Sequence, residues 1–127
     1  MPIRYSVDRL HGWLLTHADG VVTFEDIDAH LDIEQRDHNL GRPELVDARG
    51  ATTDLTADQV RRLIQRATNM LRAVDLGPTA IVVDDDVAFG MARMYSLLAE
   101  GAGVVAEAFR DLESATCWLD RMAAERK

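Results

Sequence analysis

The sequence predicts an α/β fold in the order β-β-α-β-α-β-α-β-α. The sheet is mostly parallel with one antiparallel strand, and the helices pack on it. Three observations lead there. Val60, Leu63, Ile64, Ala67, Leu71 and Val74 form one apolar stripe at helical spacing. Residues 79–83, "TAIVV", are apolar without alternation, as a strand buried on both faces should be. Around these segments, short extended runs and helical runs take turns along the whole chain.

Each element has its own signal. Residues 3–7 and 13–18 flank "DRLHG" and read as a hairpin. Gly20 turns the chain, Thr23 is an N-cap, and Phe24, Ile27 and Leu31 give a helix one apolar face, ending near His38 before "NLG" and Pro43. Residues 44–49, "ELVDAR", form a short strand, and "GATTDL" is expected to be a loop. Thr56 and Gln59 make a capping box for the striped helix, which Gly77-Pro78 closes. A helix over 88–100, a strand over 104–109 and a last helix capped by Asp111 complete the order, in a single domain spanning 1–127.

Composition limits function. The chain has 127 residues, 47% apolar and 28% charged, with a formal net charge of -8. That charge disfavours binding to DNA or RNA phosphates. No run approaches the ~20 apolar residues of a membrane helix, so membrane insertion is not expected. "MPIRYSVDRL" lacks a long apolar stretch and a small-residue cleavage site, so no secretory leader is expected. With one cysteine there is no internal disulfide, which suits a cytoplasmic protein, and Cys117 in "ATCWL" reads as a buried small hydrophobe.

"AIVVDDDVAFG" raises the question of a phosphorylated receiver or a metal site. A receiver needs an acceptor aspartate roughly 40 residues further on and a lysine beyond it. The only lysine is Lys127, and that region is a helix tail, so the receiver reading fails. Asp47 and Asp84 end strands at the carboxyl edge of the sheet, with Asp19 near, and could hold Mg²⁺ or Ca²⁺. Capping of the next helix by Asp85 or Asp86 explains the cluster better, so no metal and no cofactor are expected. None of the four histidines is read as a helical i, i+4 partner of another ligand, and His30 and His38 are expected to face solvent. Arg61, Arg62, Arg66 and Arg72 read as a solvated helix face. In "AFGMARMYSLLAE", Phe89, Ala92, Ser96 and Ala99 suffice to face the sheet. Met91, Met94, Tyr95 and Leu98 are then surplus, and are the candidate surface for a partner or ligand.

The element order, with "LVDARG", "AIVVDDDVAFGMARMYSLLAE" and "AFRDLESATCWL", resembles the SpoIIAA-like family of STAS-fold proteins from the first strand through Leu119. That group is similar in fold to CRAL-TRIO lipid-binding domains. The resemblance implies a regulator rather than an enzyme. It also implies a phosphorylation switch at a serine before the second helix, in a D-S-S-G-like motif. The corresponding stretch here is "DARGATTDLT": Arg49 stands in the serine region, and Asp47, Thr52 and Thr53 are the candidate switch residues. The expected function is a non-enzymatic interaction module that binds a protein partner or a second copy as a homodimer. The alternative is a carrier of a small apolar or lipid-like molecule held between helix and sheet. A cavity of roughly 300 Å³ or more would favour the carrier. A flat exposed patch on the methionine helix would favour the module.

Overall fold

A computed structural model describes residues 2–125. The elements are β1 (Ile3–Val7), β2 (Leu14–Ala18), β3 (Gly20–Val22), α1 (Phe24–Arg36), β4 (Glu44–Asp47), β5 (Ala51–Thr53), α2 (Ala57–Leu71), β6 (Thr79–Val82), α3 (Asp86–Gly101), β7 (Ala106–Phe109) and α4 (Leu112–Glu125). The main sheet runs β1-β2-β4-β6-β7. Its β1–β2 pair is antiparallel and the rest is parallel, as the hairpin and the helical crossovers require. Two three-residue strands, β3 and β5, form a separate parallel pair. The "GATTDL" segment is therefore part strand. Three residues are too few to show alternation, so the sequence pattern cannot announce it.

The helix ends follow their local chemistry. Thr23 and Asp26 close a reciprocal capping box on α1, and Thr56 and Gln59 close one on α2. The Asp85 carboxylate caps α3 by accepting from the Ala88 N–H at 2.9 Å, and Asp111 accepts from the Ser114 N–H at 2.8 Å. Helix α2 buries Val60, Leu63, Ala67 and Met70. It stops at Leu71, so Val74 falls beyond the end and is exposed, while Met70 takes a place on the stripe.

Helix α4 alone covers one face of the sheet, where Trp13, Ala80, Val82, Ala115 and Leu119 form a buried cluster. Cys117 lies on its outer side and is exposed, because Ala115 and Leu119 already take the inward positions. The other face lies under α1, α2 and α3. The arginines of α2 are not all solvated. Arg66 donates to the backbone carbonyl and carboxylate of Asp28 and to the Asp32 carboxylate, strapping α2 to α1, and Arg62 sits 4.4 Å over the Phe24 ring.

One glycine governs how β4 enters the sheet. The Gly77 N–H donates to the Leu40 carbonyl at 3.0 Å, and the Glu44 N–H donates to the Pro78 carbonyl at 2.9 Å. A β-carbon on residue 77 would lie 2.2 Å from the Arg42 carbonyl oxygen, so the two loops can touch only with glycine there. Gly77→Ala is expected to destabilise the protein by about 2 kcal/mol or more through forced separation of these loops. Thr56→Ala should cost about 1 kcal/mol for the lost cap, with Thr52→Ala costing less. Urea unfolding with matched slopes measures all three, and equal midpoints for Gly77→Ala and the parent would refute the close-approach argument.

Candidate functional site

Strand alternation places Thr16, Glu44, Val46, Thr79 and Ile81 on the face beneath α1–α3. Tyr5, opposite Thr16 in the hairpin, shares that face. Glu44 opens β4 and is thereby carried inside the protein. Helix α1 brings His30 and Glu34, one turn apart on the same side, down onto it. Thr16, His30, Glu34 and Glu44 are all buried, Glu34 to 2% exposure.

The contacts are close. The Thr16 hydroxyl donates to Glu44 Oε2 at 2.6 Å. His30 Nε2 lies 3.0 Å from the same oxygen and 3.3 Å from Glu34 Oε1. The Tyr5 ring meets the His30 ring edge-on, with centroids 5.7 Å apart. Burial pushes the Glu34 carboxyl up to about 10, helped by the negative charge of Glu44. Burial pushes Glu44 upward too, but hydrogen bonds and charge from His30, with hydrogen bonds from Thr16 and Glu34, outweigh it and hold Glu44 below the usual range. Glu34 is therefore the protonated member and shares its proton with ionised Glu44. Its second oxygen, Oε2, has no hydrogen-bond partner although it is fully enclosed.

This cluster forms the polar end of a cavity of about 210 Å³. The rest of the lining is mostly apolar, with Val22, Ile27, Val60, Leu63 and Ile81 among it and alanines at 18, 48, 51, 88 and 92. The exposed Thr52 lies at its rim. Tyr95 also lines it, and its hydroxyl is pushed up to about 12 by burial and then by the charges of Glu44 and Glu34.

The predicted site residues divide in two. Met91, Tyr95, Thr52 and Thr53 line this cavity; Met94, Leu98 and Asp47 do not. Met91 and Tyr95 are thus not surplus surface, because α3 turns them inward. Thr53 is committed to the backbone, donating to the Val22 carbonyl at 2.8 Å and accepting from the Leu55 N–H at 3.2 Å. Asp47 is clamped by two bonds from the Arg49 guanidinium, which hold it below the usual carboxylate range. The aspartate run is equally occupied: Asp84 accepts from the Gly50 N–H, Asp85 caps α3, and Asp86 pairs with Arg110.

Two readings of the histidines are corrected. His30 is buried, not solvent-facing, and Glu34 stands four residues after it on the same helix, within 3.3 Å. His38 is exposed, at a positive φ of 60° just past the end of α1. The missed signal was present in the sequence. Ile27, His30 and Glu34 follow the same i, i+3, i+7 spacing that marks a core face, but polar residues on such a face give no hydrophobic signal.

The two glutamates give the protein opposite pH responses. Glu34 holds a proton in the fold that it loses in the unfolded chain above about 4.5. Its stabilising contribution is complete below that value and is lost as pH rises toward 10. Glu44, held low, contributes above its unfolded value and loses that contribution in acid. Melting temperature in the presence of a chelator is therefore expected to fall between about pH 5 and pH 9. Glu34→Gln, which keeps a neutral hydrogen-bond donor beside Glu44, should flatten that slope. Parallel pH profiles for the two proteins would contradict the assignment of the proton.

No protein-family profile matches the chain, and no curated protein matches it. Among solved structures it is similar to an uncharacterized protein from the DUF3478 family, with a SpoIIAA-like fold, from Shewanella loihica PV-4. The TM-score is 0.58 at 16% identity, over 92% of this chain and 93% of that one. At that identity the likeness carries the fold and no site residue. The chain adopts a SpoIIAA-like fold: four helices on a five-stranded, mostly parallel sheet with one antiparallel pair.

Proposed function

We propose that this chain is a non-enzymatic SpoIIAA-like module that binds a small, mostly apolar ligand between α1–α3 and the sheet. The observation that carries this reading is the cavity. The cavity is half open to solvent and most of its lining is apolar, so water inside it finds few hydrogen-bond partners and an apolar ligand gains by displacing it. An apolar cavity of about 150 Å³ accommodates benzene, so this one suits a ligand of about ten non-hydrogen atoms. It is below the roughly 300 Å³ where drug-sized pockets begin. A long-chain lipid does not fit inside it, which narrows the carrier expectation to small molecules.

A non-enzymatic role is supported by how the reactive groups are engaged. Among the described residues no histidine is hydrogen-bonded to a hydroxyl or a thiol, so no nucleophile–base pair is assembled. A second reading, docking of a protein partner or a second copy on the outer side of α3, is favoured by Val87 and Leu97, which are 62% and 59% exposed. No described helix is long and apolar enough to cross a membrane.

Native mass spectrometry of freshly purified protein reports retained ligand and oligomeric state together. Fluorobenzene titrated by ¹⁹F NMR then probes the cavity. A saturable one-to-one site is expected, with Kd about 0.1–1 mM for a probe of this size. Ala92→Leu, which fills the cavity from α3, should abolish binding while leaving the circular dichroism unchanged. Identical responses of the parent and the folded variant would refute the proposal.

A further inference from the structure

The His30–Glu34–Glu44 cluster is more than the polar end of a ligand cavity. We propose that His30 Nε2 and the carboxylates of Glu34 and Glu44, Glu34 through both of its oxygens, bind a divalent first-row transition cation, with Zn²⁺ the best match. One donor atom from each of the three residues lies within 4.8 Å of the others. A four-coordinate Zn²⁺ with bonds of about 2.0–2.2 Å sets neighbouring donor atoms about 3.3 Å apart. The 3.3 Å and 3.0 Å separations from His30 Nε2 are already at that spacing. Both α1 ligands sit one helical turn apart, and the third opens a central strand, so the set is held by rigid elements.

An independent observation points to a missing cation. Glu34 Oε2 is enclosed and has no partner. Two carboxylates buried together are costly, and a single imidazole facing both leaves that oxygen bare. A dication balances both. The surrounding contacts are those a metal site needs: the Thr16 hydroxyl fixes the Glu44 carboxylate at 2.6 Å, and the Tyr5 ring edge fixes the plane of His30. Three protein ligands leave a fourth position open, as in zinc sites that take water or a ligand. One imidazole with two carboxylates suits Zn²⁺, Fe²⁺ or Mn²⁺. Ca²⁺ needs 6–8 oxygen ligands, and Mg²⁺ prefers an all-oxygen octahedron. The aspartates at the carboxyl edge offer no comparable site, since each is bonded to a backbone N–H or an arginine. The ion does not require an organic ligand, so this proposal stands or falls apart from fluorobenzene binding.

The test is titration of chelator-treated full-length protein with Zn²⁺ by calorimetry and with Co²⁺ by visible absorption. The expected result is one ion per chain, with Kd in the micromolar range or tighter, and the intense bands of low-coordinate Co²⁺. Glu34→Gln and His30→Ala should each weaken binding on the order of 100-fold, and Thr16→Val about tenfold. Asp84→Asn should leave binding unchanged, and Ca²⁺ should give no heat. Circular dichroism checks each variant; if His30→Ala fails to fold, Glu34→Gln decides. Absence of stoichiometric binding, or binding that survives Glu34→Gln, or binding lost in Asp84→Asn, would overturn the proposal.

Discussion

A carboxylate at the first position of a central strand has to be satisfied inside the protein, and the helical layer is arranged around that need. Glu44 is 9% exposed, because its side chain rises from the sheet into the space covered by α1. Its Oε2 is met by Thr16 from the neighbouring strand and by His30 from α1. The buried residues of α1 are His30 and Glu34, with half-buried Ile27 and Leu31 beside them, so this helix docks through a polar cluster as well as apolar side chains. Arg66 then straps it to α2, and Asp37 and Asn39 just beyond its end bond the Tyr5 hydroxyl. Removing one member of such a network leaves an unpaired buried charge, a loss of several kcal/mol on the usual scale. Glu44 is thus one of the anchors that set the position of α1, and with it the roof of the cavity.

The two faces of the sheet are packed on different principles. Under α4 the large groups interlock: Trp13 and Leu119 are buried, and Phe109 meets Trp118 with centroids 5.6 Å apart. Under α1–α3 many inward positions carry alanines, and Tyr95 enters the cavity while two other rings lie toward the margin. Phe24 is covered by Arg62, and Phe89 by Arg110. With only 6% aromatic residues in the chain, filling one face leaves little bulk for the other. Side chains as small as alanine cannot span from helix to sheet, so the space that remains is a consequence of composition.

What could be read from the sequence follows the same division. Caps were legible because they are local: Thr23, Thr56, Asp85 and Asp111 each need only a backbone N–H within the next three residues. The mostly parallel sheet with one antiparallel strand was legible from the alternation of strands and helices and from crossover rules. The site was not, because it joins residues 16, 30, 34 and 44 across three elements, and hydrophobic periodicity is blind to polar residues that face inward. Met91 and Tyr95 were singled out as unusual and do line the cavity, but the reason offered, surplus surface, missed that α3 faces a hollow. The β3–β5 pair was invisible because it is set by tertiary pairing between Gly20–Val22 and Ala51–Thr53, not by any local preference.

Open parallel sheets ordinarily gather ligands at the carboxyl ends of their strands, where the loops supply charge and free N–H groups. Here that edge is spent on structure. Asp47 is neutralised by Arg49, Asp84 holds the Gly50 N–H, Asp85 terminates α3, and Asp86 is paired with Arg110. Free bonding capacity lies instead at the opposite end of β4, beneath α1, where Glu34 keeps a bare oxygen beside an alanine-lined hollow. A molecule or ion binding there meets size selection from the cavity and charge selection from two carboxylates. It also touches the cluster that seats α1. Occupancy and the docking of α1 therefore draw on the same free energy, and whatever fills the site must tighten or loosen that helix.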